Sequence, residues 1–175
     1  NLKFRIFVKK NLVLLGMMAV GKTTLGKIVA KKKKFDFIDT DKVIERKNLM
    51  SIKEIFEKKG ESFFRMEEEK EVIACLKKSC CVIALGGGAF INKKIRENII
   101  KKTFSIWLDS NLKILRSRLS YNKNRPLLLK KNNNEIKYIY EQRKKIYKMA
   151  HQKIICDGLS KDKIVKKIID LYELQ

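Results

Sequence analysis

The 175-residue chain has one proline and eight glycines, so no Pro- or Gly-rich linker and no low-complexity tract interrupts it. No internal repeat is visible. No apolar run approaches the roughly 18 residues that a membrane span needs, and the first residues carry no signal-peptide pattern. The expected compartment is therefore the cytoplasm, with no membrane partner. Histidine is nearly missing, since His151 is the only one. The four cysteines, Cys75, Cys80, Cys81 and Cys156, form no C-x-x-C pair, which argues against a zinc site. Cys80 and Cys81 open an apolar run and read as small buried residues. His151 reads as a packed or surface residue rather than a catalytic one. Acidic residues are scarce, 19 against 42 Lys and Arg, which leaves a formal charge of +23. That balance invites a nucleic-acid partner. A plainer cause is the joint over-use of Lys, Asn and Ile that an A/T-rich coding sequence produces. Lysines occur in every segment, with short runs at 31–34 and 130–131, and aromatic residues do not interleave with those runs as a single-strand-binding surface requires. No specific nucleic-acid partner is expected, only non-specific attraction for anions.

What is present is enough to fold. Hydrophobic residues make up 45% of the chain, and its length suits one domain, residues 1–175, with a substantial core. The stretch NLVLLGMMAVGKTTL, residues 11–25, organises it. Gly16, Gly21, Lys22 and Thr23 match G-x-x-x-x-G-K-[ST]. Glycine lets the backbone wrap a phosphate with several N–H groups pointing inward, and a helix starting near Lys22 aims its positive end at the same place. Lys22 brings a full charge to the β- and γ-phosphates, and the Thr23 hydroxyl suits Mg²⁺. The context fits, because residues 12–15 read as a buried strand and Leu25, Ile28 and Val29 continue at helical spacing. The alternative is a flexible turn with a chance lysine.

Along the chain, strands are expected at 11–15, 35–39, 80–85, 104–109 and 153–156. Helices are expected at 22–32, 41–47, 61–78, 92–102, 112–119, 136–150 and 161–174. A further short helix starts after the capping box Ser51–Glu54 and ends at Gly60. Residues 121–134 break the pattern and hold Arg125 and Pro126. Residues 2–8 alternate weakly and read as an edge strand or a leader. Alternating strands and helices imply an α/β fold with a parallel sheet covered on both faces and ligands beyond the C-terminal strand ends.

Three features narrow the substrate. Asp39 and Asp41 are two apart on an extended segment and can face one cleft. One suits Mg²⁺ through water and the other a substrate hydroxyl. A strand end that merely caps the next helix explains them equally well. Arg65 and Glu68, three apart, can meet on one helix face, and the guanidinium fork suits a carboxylate or phosphate. A solvated ion pair is the simpler alternative. Gly86, Gly87 and Gly88 follow a buried strand and let a ligand approach the backbone, unless they form an ordinary turn.

Together these residues resemble the shikimate kinase family. The matching segments are GMMAVGKTT, FIDTD followed by IE, IFEKKGESFFRMEEE, LGGGA, NRPLL, and Arg143 ahead of Tyr147, in order from residue 11 to residue 173. The resemblance implies a P-loop kinase of the nucleoside-monophosphate-kinase type, with a five-stranded parallel sheet flanked by helices and a lid at about 121–134. It implies transfer of the γ-phosphoryl of ATP to the 3-hydroxyl of shikimate, in aromatic amino acid biosynthesis. ATP would be held by Ala19, Val20, Gly21, Lys22, Thr23 and Thr24. Arg118 would stack on adenine and Arg125 would close over the phosphates. Thr23, and Asp39 through water, would hold Mg²⁺. Asp41 would bind the substrate hydroxyls and act in catalysis with Lys22 and Arg125. Arg65 and Arg143 would clamp the carboxylate, and Gly87 would touch the substrate. The protein would work as a monomer on two small molecules. Three positions depart from the family pattern: Ala19 replaces a usual glycine, Lys145 replaces a proline, and residues 157–162 lack an expected arginine and proline. Two other readings stand beside this one, a gluconate-type small-molecule kinase and a basic nucleotide-dependent binding protein.

Overall fold

The computed structural model describes residues 10–120 and 133–175. Five strands form one sheet: β1 (Leu12–Leu15), β2 (Asp36–Asp39), β3 (Cys81–Ala84), β4 (Phe104–Asp109) and β5 (Gln152–Ile155). Their order is β2-β3-β1-β4-β5 and every pair is parallel. The inner strands β1 (LVLL) and β3 (CVIA) are buried along their whole length. Such uniformly apolar runs form where helices cover both faces of a sheet. The edge strands β2 and β5 are partly exposed and carry Asp, Gln and Lys.

The helices are α1 (Lys22–Lys33), α2 (Thr40–Asn48), α3 (Ile52–Leu76), α4 (Lys93–Lys102), α5 (Leu112–Ser120), α6 (Asn133–Tyr147) and α7 (Lys161–Glu173). The Ser51–Glu54 capping box is formed, and Gly60, at φ 82° and ψ 170°, breaks α3 where the sequence places a helix end. A 3₁₀ turn at Ala89–Ile91, which the sequence pattern does not foretell, precedes α4, and Arg96 holds it by donating to the carbonyls of Phe90 and Ile91. Cys80 corrects the sequence expectation: it is exposed, at φ 54°, because the strand begins only at Cys81. Cys75, Cys81 and Cys156 are buried as small apolar residues. His151 is exposed but packs with one face, as a surface residue does. Its ring stacks on Phe104, and Nδ1 accepts the Ser105 N–H at 3.1 Å.

The apolar interior falls into two parts. A large core surrounds the sheet, and a separate cluster of Ile44, Ile55 and Phe64 joins α2 to α3. Register fixes where the loops emerge. Asp39 pairs with Ala84, and Ala84 with Leu14, so the ends of β2, β3 and β1 lie in one row. Gly16, Gly86 and Asp41 each follow that row by two residues. Strand spacing of about 4.8 Å then brings all three loops within about 10 Å.

Candidate active site

The loop after β1 has the geometry that its glycines allow. Gly16 sits at φ 142°, and a β-carbon there would lie 2.4 Å from the Leu108 carbonyl oxygen, so only glycine fits. Gly21, at φ 105°, opens α1 without a side-chain cap. The first turn of α1 holds no acidic residue and its last turn holds Lys31, Lys32 and Lys33. The charge pattern therefore leaves the positive helix end facing the loop unneutralised, as anion binding requires. Lys22 Nζ donates to the carbonyls of Gly16 (2.8 Å) and Met17 (2.9 Å), which holds the ammonium at the loop's mouth. Ala19 adopts φ 64°. A left-handed conformation costs an L-residue about 1–2 kcal/mol that glycine does not incur.

Thr23 Oγ1 donates to Asp39 Oδ2 at 2.7 Å. Asp39 Oδ1 accepts the N–H groups of Asp41 (3.1 Å) and Lys42 (3.3 Å). Asp39 thus caps α2, as the plainer reading of the sequence holds, and with its second oxygen faces the phosphate loop. A hydroxyl and one carboxylate fit Mg²⁺, which takes hard oxygen ligands and keeps waters and phosphate oxygens for the rest. Among the described residues no cluster of three or more His, Cys, Asp or Glu side chains could hold a metal unaided.

A cleft of about 450 Å³ opens over this loop. Residues 18–25 line it, together with Asp39, Asp41, Arg118, Leu119, Leu159, Lys161 and Ile164. Arg118 reaches it from α5, and its Nη1 donates to the Ala19 carbonyl at 3.3 Å. Leu159, Lys161 and Ile164 are not among the sequence candidates; Ile164 shows only apolar spacing in α7, which signals packing and says nothing of which cleft the helix borders. Asp157 serves structure here: it accepts from Ser110 Oγ and the Asn111 N–H and ties the β4–α5 corner to the strand β5 exit.

Beside the loop lies the triple glycine, and each glycine gives way to a different side chain. A β-carbon on Gly86 would meet Asp41 Oδ1 at 2.5 Å and Glu68 Oε1 at 3.2 Å. One on Gly87 would meet Arg143 Nη1 at 3.3 Å and the phosphate loop at Met18 N (3.6 Å). One on Gly88 would meet Arg65 Nη1 at 2.7 Å and Arg143 Nη2 at 3.4 Å. The structure therefore brings Asp41 of α2, Arg65 of α3 and Arg143 of α6 to one short segment, which also touches the phosphate loop. The segment is at the same time a regular turn: the Ala89 N–H donates to the Gly86 carbonyl at 3.0 Å, with Gly87 and Gly88 at its centre, and it runs on into the 3₁₀ turn.

Three partners of this cluster were not singled out from sequence as site residues. Thr40, fully buried, accepts the Gly86 N–H at 2.9 Å and fixes the start of the glycine segment. Tyr147 donates its hydroxyl to the Gly87 carbonyl. Burial pushes that phenol up to about 12 against the opposing pull of Arg143, so it stays a donor at neutral pH. Glu68 pairs with Arg65 Nη1 at 2.7 Å and its side chain is only 3% exposed, so the Arg65 contact is not a solvated surface pair. Burial raises the Glu68 carboxyl above its ordinary value, Arg65 opposes the rise, and the Asp41 charge adds to it. Arg143 Nη1 is buried and has no hydrogen-bond partner among the described residues. Leaving a buried donor unmade costs about 1–3 kcal/mol, more when it is charged, so an acceptor placed there would be held favourably. Arg125 and residues 121–132 of the expected lid lie outside the described residues, and residues 133 and 134 begin α6 instead.

The family model for shikimate kinase matches residues 18–173. The chain belongs to the shikimate kinase family. A shikimate kinase of Sulfurihydrogenibium sp. (strain YO3AOP1) is 41% identical to this family member over 161 residues, which cover 91% of this chain and 96% of that one. The structure of shikimate kinase from Acinetobacter baumannii in complex with shikimate superposes with a TM-score of 0.88 at 31% identity, covering 94% of this chain and 93% of that one. A gluconokinase from Sinorhizobium meliloti 1021 covers 95% of this chain and 93% of its own, but with a TM-score of 0.55 at 11% identity, and shares the fold alone. The P-loop kinase fold expected for a shikimate kinase family member, five parallel strands flanked by helices, is the one observed.

Proposed function

We propose that the protein transfers the γ-phosphoryl group of ATP to the 3-hydroxyl of shikimate, and that the cluster around the triple glycine is the acceptor site. The observation that carries this reading is the convergence of Arg65 and Arg143 on Gly88, beside Asp41 and against the phosphate loop. Two guanidinium groups converging on Gly88 suit a carboxylate, and the Asp41 carboxylate beside Gly86 suits hydroxyls. A gluconate-type kinase would share the phosphate loop without this arrangement.

In this reading Lys22 and the N–H groups of residues 19–24 hold the triphosphate, with Arg118 at the base. Thr23, and Asp39 through water, would hold Mg²⁺, which when bound would neutralise phosphate charge. Arg65 and Arg143 fix the shikimate carboxylate, and the Gly87 backbone borders the ring. Glu68 holds Arg65 in its pose and Tyr147 holds Gly87. Asp41 accepts a hydrogen bond from the 3-hydroxyl and takes its proton as the oxygen bonds to the γ-phosphorus. The bond from that phosphorus to the bridging oxygen of ADP breaks at the same time, so shikimate 3-phosphate and ADP leave. Positioning and charge neutralisation supply most of the rate, since phosphoryl transfer needs little covalent help. Arg125 belongs to the same proposal as a lid residue. So do a single domain acting as a monomer in the cytoplasm and the absence of a specific nucleic-acid partner. No helix among the described residues is long and apolar enough to cross a membrane.

The test is ADP release from ATP and Mg²⁺ with shikimate or gluconate as acceptor. Stimulation by shikimate alone is expected. No stimulation by shikimate, or equal stimulation by gluconate, rejects the assignment.

A further inference from the structure

The phosphate loop holds an alanine in a conformation that favours glycine, and such strain persists only where the surroundings over-determine it. The loop's own bonds do little for Ala19. Lys22 occupies the carbonyls of Gly16 and Met17, and the turn bond from Val20 N–H to Met17 O is a long 3.4 Å. The Ala19 carbonyl is met instead by Arg118 Nη1 at 3.3 Å, from 99 residues further along the chain. Arg118 is rooted in α5 between Leu115 and Leu119, which are 1% and 9% exposed, so its base is fixed to the main core. Ala19 and Arg118 line the same cleft.

We propose that Arg118 is a positioning residue of the phosphate loop: its guanidinium braces the Ala19 carbonyl and keeps the left-handed turn in its phosphate-binding shape. Arg118 then acts on the phosphates through the backbone, apart from any contact it makes with the base. The inference rests on the nucleotide half of the proposed function and not on the acceptor. A glycine at position 19 adopts the turn without help, so the two residues must be coupled energetically.

The experiment measures binding of Mg-ADP and of Mg-tripolyphosphate by calorimetry to the full chain and to A19G, R118M and the double variant. A19G keeps the backbone N–H groups of the loop, and its own effect on both ligands is the reference against which the coupling is read. R118M is expected to weaken both by about tenfold, and adding A19G to R118M is expected to recover about fivefold. The base-free tripolyphosphate isolates the backbone effect from stacking. An A19G effect of the same size in both backgrounds overturns the brace, as does tripolyphosphate binding that R118M leaves unchanged. If R118M does not fold, judged by circular dichroism, R118K replaces it. Lysine keeps one donor, so a smaller loss with the same rescue is expected, and purely additive effects again overturn the proposal. Failure of the acceptor assignment would show separately, as absent shikimate-dependent turnover with this coupling intact.

Discussion

The two ends of the site are built differently. Residues 16–24 supply the whole phosphate loop in one stretch anchored on the fully buried β1, whereas the proposed acceptor end draws Asp41 from α2, Arg65 and Glu68 from α3, the triple glycine from the segment after β3 and Arg143 from α6. The donor end is mostly backbone: N–H groups, a helix terminus and one lysine. The acceptor end is mostly side chains, held by buried partners such as Glu68 and Tyr147. It also stands partly on its own small core, because Ile44, Ile55 and Phe64 cluster apart from the main interior. A generic donor thus comes from local chain geometry, and a specific acceptor comes from tertiary packing. Changes at the acceptor end should therefore leave nucleotide binding alone.

The largest test of that separation is Asp41→Asn. Its turnover should fall by about 10²–10⁴-fold, the range expected for loss of a general base, while ADP affinity stays within about twofold. A parallel loss of ADP binding would merge the two ends. Truncating the small core comes next. Ile55, fully buried, changed to Ala should destabilise by about 2–5 kcal/mol. Hydrogen exchange should speed up in α2 and the first part of α3 and leave β1, β3 and β4 protected. Uniform acceleration throughout would mean that the small core is not a separate unit.

These outcomes bear on how much the chain discloses before folding. The phosphate loop is legible because its chemistry demands fixed spacing within eight residues, Gly16 to Thr23, and the apolar runs of β1 and β3 give the sheet. Asp41 and Arg65 stand out as candidates by residue type and spacing and Arg143 only through family resemblance, and nothing in the spacing states that helices α2, α3 and α6 meet at one turn. Glu68 shows its pairing with Arg65 by helical periodicity, but its burial comes from the rest of the fold. Cys80 illustrates the opposite error: it opens an apolar run in sequence, yet a left-handed turn at that residue puts it on the surface.

A smaller effect is expected from Gly88→Ala. The new methyl would sit 2.7 Å from Arg65 Nη1 and must push that flexible side chain aside. KM for shikimate should rise about tenfold with KM for ATP unchanged, because misplacing a binding group by a fraction of an ångström costs orientation. An equal rise in both constants would count against a divided cleft.

The smallest effect is on pH dependence. The folded-state Glu68 carboxyl lies above its ordinary 4.5, raised by burial first and by Asp41, with Arg65 opposing. Its stabilising contribution is full below that ordinary value and is lost as pH rises through the raised one. The melting temperature of Glu68→Gln relative to the parent should therefore climb from pH 4.5 towards neutrality. A constant difference across that range would mean that Glu68 carries no such penalty.

The most direct measurement of the central claim is calorimetric titration of shikimate into the protein and into Arg65→Met and Arg143→Met. Each variant should lose at least about tenfold in shikimate affinity, as expected when a charged hydrogen bond to a carboxylate is removed, with ADP binding retained. Unchanged shikimate affinity in both variants would contradict the account, because the two arginines would then grip nothing in common.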